Sequence, residues 1–158
     1  MKFIIENIEK TRAFGELLGS LLREGDVICL NGDLGAGKTT LTKSIGTGMG
    51  IKDYITSPTF TIINEYYSDV NLYHFDTYRL EGNTDVDYLG FDEYFYGDGV
   101  CIVEWADKIE KSLPEEYLKI DIRRIDEDEE EREVEIVAVG KRPQEIIEVL
   151  KNNESSWD

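Results

Sequence analysis

The stretch Asn31-Gly-Asp-Leu-Gly-Ala-Gly-Lys-Thr-Thr40 does most to limit what this chain can become. It follows the apolar run Asp26-Val-Ile-Cys-Leu30 directly and leads into a segment, Lys38 to about Met49, that reads as a helix. Gly32-x-x-x-x-Gly37-Lys38-Thr39 is a complete phosphate-binding-loop pattern in the strand–loop–helix setting its mechanism requires. Glycines let successive backbone N–H groups turn inward and form a nest for anionic oxygens. A side chain at Gly35 or Gly37 would occupy the space the phosphates need. The helix opening near Lys38 aims its positive end at the same spot. Lys38 supplies a mobile cation for the terminal phosphates, and Thr39 offers a hydroxyl to a magnesium ion. The expected nucleotide contacts in this loop are Gly35, Ala36, Gly37, Lys38, Thr39 and Thr40. A glycine-rich turn without a ligand is the plainer reading, and the strand before it and the helix after it argue against that.

ATP is favoured over GTP because the base-reading motif Asn-Lys-x-Asp does not occur. Asp87-Tyr-Leu-Gly90 matches a short GTPase pattern, but it sits in a helical-looking stretch rather than at a strand end. A phosphate loop needs carboxylates at the ends of neighbouring strands to organise magnesium and water. Two apolar runs end that way: Asn71-Leu-Tyr-His-Phe-Asp76 and Val100-Cys-Ile-Val-Glu104. Carboxyl ends of parallel strands are where open α/β sheets place their ligands. Asp76 and Glu104 are therefore the expected metal-organising or catalytic acids, beside Lys38. Helix capping or a surface ion pair is the competing role for either acid.

The remaining periodicities set the fold class. Lys2–Ile5 reads as a short strand. Ile8, Thr11, Phe14, Leu17, Leu18, Leu21 and Leu22 recur at helical spacing behind an N-cap candidate, Asn7. Ser57–Tyr67 and Val70–Asp76 read as two strands joined by a turn, and Thr84–Phe95 as one or two short helices. Tyr117–Ile125 and Arg132–Val139 alternate with period two, which suggests an antiparallel hairpin around the acidic run Ile125–Glu133. A helix with Pro143 near its start follows, and residues 152–158 read as a disordered tail. Continuous apolar runs early and alternating runs late indicate an α/β fold: one three-layer P-loop NTPase domain over 1–158. Its mixed sheet has a mainly parallel core and an antiparallel flank.

The 34 acidic and 17 basic residues give a formal net charge of −17, which disfavours direct binding of DNA or RNA. The acidic run reads as a solvated loop, or as a docking surface for a basic partner. No apolar run reaches the ~18 residues of a membrane span, and the first residues are too charged for a signal peptide. The expected compartment is the cytoplasm, with Cys29 and Cys101 as reduced core thiols.

Gly-Asp-Leu-Gly-Ala-Gly-Lys-Thr-Thr40, Ser57-Pro-Thr-Phe-Thr61, His74-Phe-Asp-Thr-Tyr-Arg79 and Val103-Glu-Trp105, in this order and spacing, resemble the TsaE family, formerly YjeE. The likeness covers about three-quarters of the chain, from the first helix to the Tyr117 strand. It implies a small ATPase with ATP and Mg2+ as cofactors, required for threonylcarbamoyladenosine (t6A) modification of tRNA. It implies that Thr39 and Glu104 hold the metal, that Asp76 lies beside it, and that Thr11 approaches the base or ribose. Trp105 would lie close to the nucleotide. The segment Thr56–Ile63 looks like the family's mobile loop, and a strand entry rich in threonine fits it equally well. His74, the only histidine, reads as a hydrogen-bonded core residue rather than a catalyst. Arg79 would bind phosphate, anchor the loop or touch a partner.

The partners implied are TsaD and TsaB, with tRNA reached only through that complex. ATP would reset the assembly between rounds, and hydrolysis by the isolated chain would be slow because no internal arginine finger is evident. A P-loop small-molecule kinase is the alternative enzyme. A non-catalytic nucleotide sensor and an RNA-binding regulator are the alternatives of other classes.

Overall fold

The computed structural model describes residues 1–33, 35–58, 61–80, 89–126 and 129–157. The elements in chain order are β1 (Lys2–Ile5), α1 (Ile8–Leu21), β2 (Val27–Asn31), α2 (Lys38–Gly48), β3 (Ile63–Tyr66), β4 (Asn71–Asp76), α3 (Phe91–Phe95) and β5 (Gly99–Glu104). A 3-10 segment (Ala106–Ser112), β6 (Tyr117–Arg124), β7 (Arg132–Val139), α4 (Lys141–Lys151) and a 3-10 turn (Glu154–Ser156) complete them. Much of the expected helix at Thr84–Phe95 lies outside the described residues.

The strands form one seven-stranded sheet in the order β1-β7-β6-β2-β5-β4-β3. β4, β5, β2 and β6 run parallel, and antiparallel pairs close both edges, β3 on β4 and β6-β7-β1 at the other end. The expected mixed sheet is there, with two refinements. The strand Tyr117–Arg124 is both the first arm of the predicted hairpin and the last member of the parallel core. A second antiparallel edge sits beside Asp76.

Alternation along the buried strands builds two cores. Ile28, Leu30, Val100, Ile102 and Leu72 face α1, α2 and α4. Val27, Cys29, Cys101, Val103, Tyr73 and Phe75 face α3 and the 3-10 segment. Every residue of β2 and β5 is buried, which explains why these strands read as unbroken apolar runs. His74 and Asp76 share the parity of Leu72, so they project to the α1/α2 side.

Asn7 caps α1 as its sequence suggests, its Oδ1 accepting from the Lys10 N–H at 2.9 Å. α1 then packs closely along α2: a Cβ on Gly19 would meet the Ile45 carbonyl oxygen at 2.1 Å, and one on Gly48 the Glu16 carbonyl oxygen at 2.1 Å. Glycine here permits close approach of two helix backbones, and that contact sets α1 beside the phosphate loop.

The expected disordered tail is corrected. Glu154–Ser156 fold into a turn, and Trp157 is 1% exposed. Its ring lies 5.5 Å from Phe3 and 5.2 Å from Phe14, so an aromatic trio ties the C-terminal segment to β1 and α1. Asp158 lies outside the described residues. No helix among the described residues is long and apolar enough to cross a membrane.

Candidate functional site

The loop after β2 turns through two glycines with positive φ, Gly35 at 81° and Gly37 at 109°. Side chains are strained in that region, so the turn needs glycine at both places. Gly37 is the N-cap of α2, and Lys38 is its first helical residue. The orphan N–H groups of the first turn therefore open at the loop. Gly32 serves packing: a Cβ there would sit 2.5 Å from the Ile122 carbonyl oxygen on β6.

Two cavities meet at this helix start. The first, about 270 Å³, is lined by Ile8, Thr11, Gly35, Gly37, Lys38, Thr39, Thr40, Glu130 and Arg132. The second, about 350 Å³, is lined by Lys38, Thr39, Ser57, Asp76, Tyr78, Glu104 and Trp105. Lys38 and Thr39 belong to both. One cavity is walled by α1 and the loop, the other by the two strand-end acids.

The acids are brought together by register. Asp76 pairs with Glu104 across β4 and β5, and Glu104 pairs with Leu30 across β5 and β2. Both are buried, at 6% and 5% exposure. Asp76 Oδ1 accepts from the Tyr78 N–H at 2.9 Å. His74 Nε2 lies 3.2 Å from Glu104 Oε2. Lys38 loses charge more readily than an ordinary lysine because burial outweighs the attraction of Glu104, Asp76 and Asp33.

Trp105 follows Glu104 in left-handed backbone, φ 62°. An aromatic residue adopts that conformation at a cost of about 1–2 kcal/mol. Thr77 holds the turn: its Oγ1 lies 2.9 Å from the Glu104 carbonyl oxygen and 2.7 Å from that of Trp105. The strained turn aims the indole at the loop, where Lys38 Nζ sits 4.1 Å from the ring centroid.

Of the expected contacts, Thr11, Gly35, Gly37, Lys38, Thr39 and Thr40 line the first cavity, and Lys38, Thr39, Asp76 and Glu104 the second. Ala36 lines neither. Its methyl group is in the core, its N–H donates to the Asp33 carbonyl at 2.9 Å, and its carbonyl accepts from Arg132 Nε at 2.7 Å. In the expected mobile loop, Ser57 reaches the second cavity, whereas Thr61 Oγ1 donates to Asn64 Oδ1 at 2.7 Å. Thr59 lies outside the described residues. Arg79 is not among the residues lining either cavity.

Arg132 was not anticipated. It stands at the start of β7, reaches the loop from 96 positions away, and also donates from Nη1 to the Glu129 and Glu131 carbonyls at 2.9 Å. Burial and the neighbouring Arg124 lower its pKa. The acidic segment is thus partly a wall of the first cavity: Glu130 lines it and accepts from the Ile8 N–H at 3.4 Å. The only sequence signal was an arginine opening a strand after a run of acids.

Among the described residues no group of three or more His, Cys, Asp or Glu side chains could hold a metal on its own. The hydroxyl and carboxylate oxygens of Thr39, Asp76 and Glu104 on one cavity are a hard-donor set that needs phosphate and water to complete it. That is how Mg2+ is usually held in phosphate sites, so the residues present fit the ion.

The family model described as "Threonylcarbamoyl adenosine biosynthesis protein TsaE" matches residues 5–134. A Bacillus subtilis protein named tRNA threonylcarbamoyladenosine biosynthesis protein TsaE is 47% identical over 156 residues, 98% of this chain and 96% of that one. Proteins of the same name from Treponema pallidum and Haemophilus influenzae are 41% and 36% identical over 78% and 89% of this chain, and 91% and 89% of their own lengths. A solved structure described as "Crystal structure of Bacillus subtilus YdiB" superposes with a TM-score of 0.80 at 46% identity, covering 98% of this chain and 95% of that one.

Proposed function

The chain belongs to the TsaE family, and from that premise we propose that it is the ATPase of tRNA t6A biosynthesis, binding ATP with Mg2+ and acting on a TsaD–TsaB heterodimer to allow further rounds. The observation that carries this reading is the meeting of two cavities at Lys38 and Thr39, directly above a register-paired Asp76 and Glu104. An elongated ligand with a polyanionic tail fits that layout: base and ribose beside Thr11 and Ile8, phosphates over the loop, terminal phosphate toward the acids.

Within this reading the backbone donors at the start of α2 bind the phosphate oxygens, and Lys38 leaves the indole for the terminal phosphates. Thr39, Asp76 and Glu104 are the residues that would hold Mg2+, which when bound neutralises phosphate charge and polarises the terminal phosphoryl group. The buried acids orient water at the strand ends, and Trp105 shields that water from bulk solvent. The −17 net charge supports leaving tRNA contact and transfer chemistry to the heterodimer, in the cytoplasm.

The test is steady-state ATP hydrolysis by the chain alone, with TsaD–TsaB, and with small-molecule phosphoryl acceptors. Slow turnover that rises with the heterodimer and vanishes in Glu104→Ala is expected. Turnover that needs an acceptor instead would make the protein a kinase, and a full assembly indifferent to Glu104→Ala would remove hydrolysis from its role.

A further inference from the structure

We propose that His74 is a positioning residue for Glu104, holding that carboxylate in the one orientation that presents its second oxygen to the cavity shared with Lys38 and Thr39. The inference rests on the nucleotide reading given above and assigns a task to the chain's only histidine.

The pair is enclosed: the side chains of His74 and Glu104 are 3% and 6% exposed. His74 Nε2 and Glu104 Oε2 are 3.2 Å apart, and His74 Nδ1 is buried without a hydrogen-bond partner. That asymmetry fixes the tautomer. A proton on Nδ1 would leave one N–H unsatisfied in the interior and face the bare Nε2 against a carboxylate oxygen. A proton on Nε2 makes a charge-assisted bond and leaves only a lone pair unmet. The imidazole therefore donates from Nε2.

The backbone fixes where this donor stands. β4 pairs in register with β5, so His74 lies opposite Ile102 and Asp76 opposite Glu104. His74 and Asp76 are two residues apart on one strand and face the same side. The imidazole thus approaches Glu104 from its own neighbouring strand, at the end where β5 turns into the strained Trp105. Glu104 Oε2 is engaged by the ring. Glu104 itself lines the cavity that also takes in Lys38, Thr39 and Asp76. With Oε2 tethered to the ring, rotation of the carboxylate is restrained at the wall of that cavity. A histidine that orients a carboxylate resembles the outer-shell partners that tune metal ligands elsewhere, whose loss weakens metal binding about 10- to 100-fold.

With a single histidine, heteronuclear NMR of the intact chain at neutral pH reads this ring without ambiguity. The expected result is a ring proton on Nε2 that is protected from exchange, with that protection lost in Glu104→Ala. An Nδ1–H tautomer overturns the inference. The second arm is Mn2+ binding in the presence of ADP, followed by electron paramagnetic resonance. His74→Leu, apolar in an enclosed site and checked for folding by circular dichroism, is expected to weaken Mn2+ about 10-fold or more while metal-free ADP affinity stays unchanged. His74→Gln, which restores an N–H donor, is expected to recover most of the loss. Wild-type binding matched by His74→Leu overturns the role of His74 alone. A wild-type chain that holds no Mn2+ with ADP overturns the nucleotide reading and this inference with it.

Discussion

Trp157→Ala removes the largest of the fully buried side chains. The indole is 1% exposed and makes ring contacts with Phe3 and Phe14 at 5.5 and 5.2 Å. Truncating a buried tryptophan costs about 3–5 kcal/mol in lost transfer energy and cavity. Each well-placed aromatic pair adds about 0.5–1.5 kcal/mol beyond its area. With two such pairs lost, the low end of that sum is a destabilisation of about 4 kcal/mol, a large share of the roughly 5–15 kcal/mol of a whole domain. For a chain of this size that lowers Tm by roughly 8–16 °C. Urea denaturation followed by circular dichroism measures it, with an unchanged m-value as the check that the folded state is otherwise retained. Phe14 lies on α1 one turn beyond Thr11, so the same variant is expected to loosen the wall of the first cavity and weaken nucleotide binding. A loss below about 1 kcal/mol would mean that the C-terminal turn is not docked, and the reasoning from the aromatic trio would fail.

Mg·ATP is expected to change Trp105 emission, because the ammonium 4.1 Å from its ring is drawn to phosphate; buried Trp157 supplies a constant background, and an unaltered difference spectrum would contradict the contact. Arg132→Ala removes the bond to the Ala36 carbonyl and is expected to weaken nucleotide binding about 10-fold with folding retained, an outcome that unchanged calorimetric affinity would refute. Burial pushes the Cys29 thiol up to about 12 and raises Cys101 as well, so neither should react with a disulfide reagent at pH 8 until the chain unfolds. The folded state holds the Cys29 proton more tightly than the unfolded thiol at 9.0. Its contribution to stability is therefore full below about pH 9 and declines toward pH 12, which denaturation at pH 8 and 10 measures; equal stability at both would contradict it.

What could be read from the sequence was whatever adjacent residues encode. Gly32 to Thr40 carry their own backbone logic, and the unbroken apolar runs ending in Asp76 and Glu104 announce buried parallel strands with acids at the ligand end. The register that makes these two acids partners was not legible, because pairing between β4 and β5 is a property of the sheet. Arg132 escaped notice for the same reason: its role depends on β7 returning to the loop across the fold. His74 read as a core residue, and it is one; only the approach of β5 reveals what its ring touches. The docking of Trp157 is not legible in a short polar C-terminal segment, because its partners Phe3 and Phe14 lie at the opposite end of the chain. The bond from Arg132 to the Ala36 carbonyl was likewise not legible, because it joins the loop to a strand 96 positions on.

Calorimetric titration of the intact chain with Mg·ATP, beside Lys38→Ala, tests the central claim most directly. The account predicts a single binding event in the wild type and a loss of roughly 10- to 150-fold in the variant, the worth of one charged hydrogen-bonding group. No heat of binding with or without the heterodimer, or equal affinity in the two proteins, would contradict it.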